Sequence, residues 1–258
     1  MDRWPTLMNP AYCLMMLVGV IASAVMWKRI ARDRPELMMV YAGALVGALV
    51  GAKVGFIIAE LPFHFGEQDF LFQALIGRTI LGGLLGGYFG AEWAKRLIGY
   101  QQATGDWFAV IVPLALAFGR VGCFLHGCCR GVTCEPAWYT MIDVQGLARW
   151  PAPLVEMLFN FGALLCLGIL YRIGAGRGQL FHLYLIAYGL FRIAHEPLRD
   201  TPRFSIGGGW TVTTYQLLAA VLVMFATGRF VVRWREQHAL GQADLVSQAG
   251  LSVAVSSP

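Results

Sequence analysis

Long apolar stretches, separated by short polar segments, dominate the chain. Each stretch is close to the roughly 20 residues that a helix needs to cross the hydrocarbon core of a bilayer. The pattern therefore predicts an all-α, polytopic membrane protein with about seven transmembrane helices. They are expected over residues 11–27, 37–59, 71–98, 107–125, 154–171, 179–194 and 211–230. The third stretch is too long for one straight span, so we expect a tilted or broken helix there.

Composition supports this class of protein. Of the 258 residues, 57% are hydrophobic and 14% are charged, whereas soluble domains carry about 25% charged residues. A soluble enzyme is therefore not expected, and residues 1–235 are predicted to form a single transmembrane domain. Residues 236–258 are polar and predict a disordered cytoplasmic tail. The first ten residues lack the basic start of a signal peptide, so we expect the first span to be retained.

Basic residues give the chain a net charge of +5, but they are scattered and form no continuous patch for nucleic acid. Their distribution instead predicts orientation, because cytoplasmic loops and span ends collect Lys and Arg. Eleven basic residues lie at the ends of the first, third, fifth and seventh stretches or just after them, and seven lie on the opposite side. This asymmetry predicts that the N-terminus lies outside and the C-terminus lies in the cytoplasm.

Two arginines lie within or against apolar stretches, namely Arg120 and Arg192. A charged side chain at membrane depth costs a few kcal/mol unless it is paired or faces water, so both are candidate site residues. Glu196 and Tyr188 lie four residues to either side of Arg192, on one helix face, which predicts a clamp for a lipid phosphate. The alternatives are arginines that reach lipid phosphates at helix ends and a structural ion pair.

Residues 77–90 carry six glycines in an otherwise apolar stretch. Small residues four apart are typical of helices that pack closely in membranes, and this is the interpretation that we favour. The alternative is that the amides of Gly82 and Gly83 approach a lipid head group, with the charge of Arg78 at the rim.

Four of the six cysteines lie within twelve residues, at Cys123, Cys128, Cys129 and Cys134. On the oxidising side of a membrane this cluster favours a disulfide, whose pairing the sequence does not reveal. A metal site that includes His126 is an alternative, although the spacing matches no common zinc pattern. Thiol chemistry by one of these residues is a third.

Four segments, in this order, resemble the prolipoprotein diacylglyceryl transferase family. They read GGLLGG from residue 82, GRVGCFLHGCCRG from 119, RWPAPLVE from 149 and YGLFRIAHE from 188. The resemblance implies that Arg120 and Arg192 hold phosphatidylglycerol and that Glu196 orients Arg192. It also assigns a second group of residues to the substrate site: Tyr12, Gly119, Gly122, Gly131, Arg149, Glu156 and Tyr188.

The chain also departs from the family pattern. Leu81 stands where the family has a histidine before its paired glycines, and Cys123, His126 and Cys128 replace Asn, Asn and Glu. Leucine cannot accept a proton, yet an ordinary cysteine thiol is only a few per cent ionised at neutral pH and needs a base. His126 is the expected replacement, with Glu196 as the alternative.

The resemblance implies an enzyme of the bacterial cytoplasmic (inner) membrane. It would transfer a diacylglyceryl group from phosphatidylglycerol to a thiol of a prolipoprotein or another acceptor, without a cofactor or a metal. Two other classes of function stay open. The absence of the family histidine favours a non-catalytic protein that binds lipid or lipoprotein, and the clustered cysteines favour a thiol-redox membrane protein.

Overall fold

The computed structural model describes residues 10–60, 63, 77–143, 145–208 and 210–255. It is mostly helical. The helices in this part of the chain are α1 (Pro10–Ile30), α2 (Leu37–Ala59), α3 (Ile80–Leu97), α4 (Gly105–His126), α5 (Ala152–Ile173), α6 (Leu180–His195) and α7 (Thr214–Val255). A short 3-10 helix, Glu196–Leu198, follows α6 directly. Two antiparallel hairpins complete the elements: β1 (Met141–Ile142) with β2 (Ala148–Arg149), and β3 (Phe204–Gly207) with β4 (Trp210–Val212).

Each predicted span has a helix as its counterpart. Five of the described helices, α1, α2, α4, α5 and the part of α7 up to residue 239, are long and apolar enough to cross a membrane. The other two, α3 and α6, have 18 and 16 residues. The polytopic, mainly helical class is thereby supported, while the full count of seven spans stays a prediction.

The bounds of two helices differ from those predicted. Helix α3 begins at Ile80 because the Thr79 side chain caps it, accepting a hydrogen bond from the Gly82 N–H at 3.0 Å. The earlier part of the predicted third span, residues 71–76, lies outside the described residues. Helix α7 continues to Val255, into the segment for which the sequence predicts a disordered tail. The predicted domain limit at residue 235 stays a prediction.

Glycines bring α2 and α3 into close contact. A Cβ atom added to Gly47 would lie 2.2 Å from the carbonyl oxygen of Gly86, and one added to Gly51 would lie 2.3 Å from that of Gly82. Since real Cβ atoms do not come so close, residues larger than glycine would force the helices apart. The close-packing interpretation of the glycine-rich stretch is therefore supported by the structure.

The exposed faces of the long helices are apolar. Leu49 of α2 is 63% exposed, Leu165 of α5 is 66% exposed and Met224 of α7 is 67% exposed. So much exposed apolar surface is unusual for a protein in water but suits a bilayer. Polar and charged side chains are instead buried between α4, α5 and α6, near the ends that adjoin the loop of residues 127–151.

Candidate active site

Five charged side chains meet at one end of the bundle, and we call them the arginine cluster: Arg120, Glu156, Arg192, Glu196 and Arg199. They come from the last turns of α4 and α6, from the beginning of α5 and from the 3-10 helix and the residue after it. All five are buried, and both carboxylates are fully shielded from solvent. Ionised groups at such a depth require partners of opposite charge.

Glu156 is the centre of the cluster. Its Oε2 lies 2.5 Å from the Arg120 guanidinium, and its Oε1 accepts hydrogen bonds from Arg192 and, at 2.6 Å, from Arg199. Three arginines from three segments of the chain thus share one carboxylate. Charge-assisted hydrogen bonds of this kind are stronger than those between neutral groups, so Glu156 fixes the relative positions of the guanidinium groups.

Glu196 forms the second contact of the cluster. It accepts a hydrogen bond from Arg192, four residues earlier, and lies 3.9 Å from Nε of Arg199. The Thr201 hydroxyl donates to its other carboxylate oxygen at 2.9 Å. The expected pairing of Arg192 with Glu196 is confirmed.

The charges of the cluster do not cancel, because three guanidinium groups face two carboxylates and leave a formal charge of +1. Within the part of the chain that the structure describes, Nε of Arg120, Nε of Arg192 and the Tyr188 hydroxyl are buried without a hydrogen-bond partner. Buried donors normally have partners, so unpaired ones call for an explanation. Excess positive charge and free donors together are the properties of an anion site.

Arg199 is held by the loop that follows α4. The Val132 N–H donates to the Leu198 carbonyl oxygen at 3.1 Å, and Gly131 forms a β-bridge with Arg199. A Cβ on Gly131 would lie 2.6 Å from Trp150 and 2.7 Å from the Leu198 carbonyl oxygen. Gly131 therefore contributes to the site by allowing three backbone segments to cross.

Of the other residues assigned through the resemblance, Gly119 and Gly122 lie in α4, and Tyr12 lies beside them in α1. The Tyr12 ring lies 5.5 Å from the His126 ring, and Tyr12 also packs on Gly122. Gly119 faces Met16 of α1. Arg78 is exposed and lies near Tyr12, close enough for its charge to act on that side chain.

The structure argues against head-group binding by the two α3 glycine amides. The Gly82 N–H donates to the Thr79 side chain, and the Gly83 N–H donates to the Thr79 carbonyl oxygen at 3.1 Å. Both amides are therefore used inside the first turn of α3. The substrate-binding role predicted for Gly82 and Gly83 is reduced to helix packing.

Arg149 has partners of its own outside the cluster. It forms ion pairs with Asp143 at 2.8 Å and with Asp200 at 3.0 Å, which tie the β1–β2 hairpin to the segment after the 3-10 helix. Desolvation acts to raise the pKa of Asp143, but the Leu147 N–H and the Arg149 guanidinium outweigh it and lower this pKa. The geometry thus gives Arg149 a part in holding the loop.

Three of the clustered cysteines come together, and the predicted disulfide is not present. All six cysteines are free thiols. The sulfur atoms of Cys123, Cys128 and Cys129 lie within 4.8 Å of one another. The neighbouring Cys123 and Cys128 thiols lower the pKa of Cys129 well below its usual value against the effect of burial, and Arg120 and Arg199 act in the same direction.

Sequence analysis did not identify Arg199 as a site residue. The spacing from Glu196 could have predicted this role, because a residue three positions later lies on the same side of a helical turn. It was counted as one of the basic residues of the outer loops. Its burial depends on contacts with Gly131 and Val132, which lie almost 70 residues earlier, and the sequence does not show that these two segments meet.

Comparisons with known proteins identify a family model and relatives that are similar to this chain. The family model for prolipoprotein diacylglyceryl transferase matches residues 6–232. Three relatives bear the name phosphatidylglycerol--prolipoprotein diacylglyceryl transferase. That of Klebsiella pneumoniae is 28% identical over 88% of this chain and 89% of the relative, and that of Clostridium tetani is 25% identical over 88% and 94%. That of Photobacterium profundum is 31% identical over 64% of this chain, and the match spans 63% of the relative's length.

Proposed function

The chain belongs to the prolipoprotein diacylglyceryl transferase family, and from this premise we propose that it transfers a diacylglyceryl group from phosphatidylglycerol to a prolipoprotein cysteine. The observation that carries the proposal is the arginine cluster, whose net charge of +1 and unpaired donors suit a phosphate diester.

The roles of the cluster residues follow from their contacts. Arg120 and Arg192 bind the phosphate ester through the donors that Glu156 and Glu196 leave free. As the acceptor sulfur forms its bond to the terminal glycerol carbon of the diacylglycerol, the bond from that carbon to the phosphate oxygen breaks. Glycerol phosphate departs with the electron pair. Fixed cations stabilise the charge that develops on it, and this is the contribution that we assign to the arginines.

This chain differs from the family pattern in the group that accepts the proton of the acceptor thiol. Leu81, in the position of the family histidine, is 2% exposed and lies in the apolar core. We propose that His126 acts as the base that accepts the proton of the acceptor thiol. Its ring lies beside Tyr12 at the end of α4. Tyr12, Tyr188 and Glu156 then line or support the lipid site, and Arg149 supports the loop that faces the acceptor.

The proposed setting is the outer face of the bacterial cytoplasmic membrane. The charge asymmetry favours an N-terminus outside and a C-terminus in the cytoplasm, with seven spans. The site then faces the compartment in which prolipoproteins arrive. The proposed partners are phosphatidylglycerol, the prolipoprotein and the surrounding bilayer.

Incubation of the purified protein with labelled phosphatidylglycerol and a lipobox peptide tests the proposal. The wild-type protein should attach lipid to a cysteine peptide and not to the matching serine peptide. Arg120→Ala and Arg192→Ala should each lower the rate by about 10²–10³, because each removes a cation placed at developing charge. Arg34→Ala is the control, since Arg34 is exposed and bonds to Tyr100 and Gln102.

A thiol-redox function is the second candidate, favoured by the three sulfur atoms within 4.8 Å. It predicts that the serine variants of Cys123, Cys128 and Cys129 lose activity while Arg120→Ala and Arg192→Ala keep it. Loss of transfer in Arg120→Ala and Arg192→Ala supports the transferase. Lipid binding without transfer by the wild-type protein would indicate a non-catalytic member of the family.

A further inference from the structure

The cysteines at the end of α4 form a group that the proposed transfer reaction does not use. Cys123 is buried in the last turn of α4, and Cys128 and Cys129 follow the Gly127 that ends the helix. Their three sulfur atoms lie within 4.8 Å of one another. In a tetrahedral zinc site with Zn–S bonds of about 2.3 Å, the sulfur atoms are about 3.8 Å apart. A contraction of about 1 Å or less thus brings the group to metal-binding distance.

The backbone is bent to bring these thiols together. Cys129 has a φ of 57°, and it is the one non-glycine residue with a positive φ within the described part of the chain. Gly127, with a φ of 72°, donates its N–H back to the end of α4 at 3.1 Å. A left-handed conformation is unfavourable for cysteine, and conformations of this kind occur most often where a site needs them.

The electrostatic surroundings favour a thiolate-rich metal complex. Three thiolates and one Zn²⁺ ion carry a net charge of −1, which attracts the nearby Arg120 guanidinium. The Arg120 guanidinium lies 3.8 Å from the Cys123 sulfur, where it donates a hydrogen bond. Donors of this kind stabilise metal-bound thiolates and fix their orientation. Soft sulfur ligands select Zn²⁺ or Cu⁺ over Mg²⁺ or Ca²⁺.

We propose that Cys123, Cys128 and Cys129 bind one Zn²⁺ ion whose fourth coordination position takes an external thiol. Three protein ligands with one open position are typical of catalytic rather than structural zinc sites. The identity of that thiol as the acceptor cysteine rests on the proposed function. A thiol that binds the ion loses its proton to water, which reduces the demand on His126. The bound sulfur then forms the bond to the glycerol carbon as described above.

Metal binding is measured without reference to activity. The full-length protein is purified in detergent, reduced, freed of reductant and titrated with Zn²⁺ or Cd²⁺. We expect about one zinc ion per chain by elemental analysis and a sulfur-to-cadmium charge-transfer absorption band with Cd²⁺. Cys128→Ser and Cys129→Ser should each lose most of the band, and Cys123→Ser is used only if it folds.

Cys134→Ser is the matched control, because Cys134 lies in the same loop but its sulfur is not part of the group of three. It should keep the band and the zinc content. Absence of bound metal in the reduced wild-type protein would overturn the proposal, as would equal binding by Cys129→Ser. A loss of bound zinc in Cys134→Ser as large as that in Cys128→Ser and Cys129→Ser would also overturn it.

The fourth position has its own test. A lipobox peptide with cysteine should shift the charge-transfer band of the cadmium-loaded protein, and the serine peptide should not. Failure to shift would overturn the assignment of this position to a thiol. Transfer by a metal-free wild-type protein at full rate would refute the inference while leaving the proposed function intact. Zinc binding without transfer under any condition would refute the proposed function alone.

Discussion

Replacement of Glu156 by glutamine tests the central contact of the site. The change keeps the size of the side chain but removes the negative charge, so Arg120 loses its carboxylate partner and Glu196 alone offsets three buried guanidinium groups. The formal charge of the cluster rises from +1 to +2. Removal of one partner from a buried ion pair costs about 3–5 kcal/mol, because the remaining charge stays buried. For a chain of this size we expect the melting temperature to fall by roughly 6–20 °C.

The measurement is thermal unfolding of the purified variant in detergent, with Asp200→Asn as the control. Asp200 also pairs with an arginine, at 3.0 Å from Arg149, but its side chain is 65% exposed. Exposed pairs contribute about 0–1 kcal/mol, so this control should melt within a few degrees of the wild type. Inorganic phosphate should restore more stability to Glu156→Gln than to the wild type, since an anion replaces the lost charge. Equal melting temperatures of the two variants would refute the central role of Glu156.

Three further predictions concern single residues. Arg199→Gln should lower the rate of transfer by about 10²–10³. The control is Arg203→Gln, which should transfer at close to the wild-type rate, because the Arg203 guanidinium bonds only to the backbone carbonyl oxygens of Pro197 and Arg199 among the described residues. Equal losses in the two variants would exclude Arg199 from the site. Because the pKa of Asp143 is lowered in the folded loop, its stabilising effect is present above the unfolded pKa of about 3.9 and is lost as the pH falls through the folded value. Hydrogen exchange in residues 130–149, corrected for intrinsic rates, should therefore be unchanged from about pH 7 to 5 and rise below about 4, and Asp143→Asn should show the rise at neutral pH. His126→Ala should slow transfer most at low pH and least near the thiol pKa of about 8.5; an unchanged pH profile would remove His126 as the base.

The helices were predictable because their signal is local. Residues 37–59 are apolar throughout, and α2 has these bounds in the structure. The beginning of α3 was not predictable from hydropathy, because Thr79 caps the helix in the middle of the apolar stretch. Close packing of α3 was indicated by the spacing of its glycines, which needs no knowledge of the partner helix. The structure shows that the partner is α2, which contacts α3 through Gly43, Gly47 and Gly51.

The site was predictable in part for the same reason. Arg192 and Glu196 are four residues apart in one helix, so their contact follows from helical geometry. Glu156 entered through the family resemblance, but its contacts with three arginines depend on how α4, α5 and α6 pack. Arg199 depends on a loop that is held by Gly131, and the grouping of three of the four cysteines depends on the left-handed conformation of Cys129. Contacts between distant segments leave no periodic signal in one sequence.

The net charge of the arginine cluster suits both the binding of the substrate and the release of the product. Phosphatidylglycerol carries a single negative charge on its phosphate diester, so the proposed complex of lipid and cluster is neutral and can be buried at low cost. Cleavage produces a phosphate monoester, whose charge at neutral pH is about −1.5 to −2. The growing charge is attracted by the three arginines as the bond breaks, which lowers the barrier. Once the monoester has formed, the site has an excess negative charge of up to about one unit, which favours departure of the product into water. A cluster with a second free cation would bind this product more tightly, and Glu156 and Glu196 together prevent that by neutralising two of the three arginines.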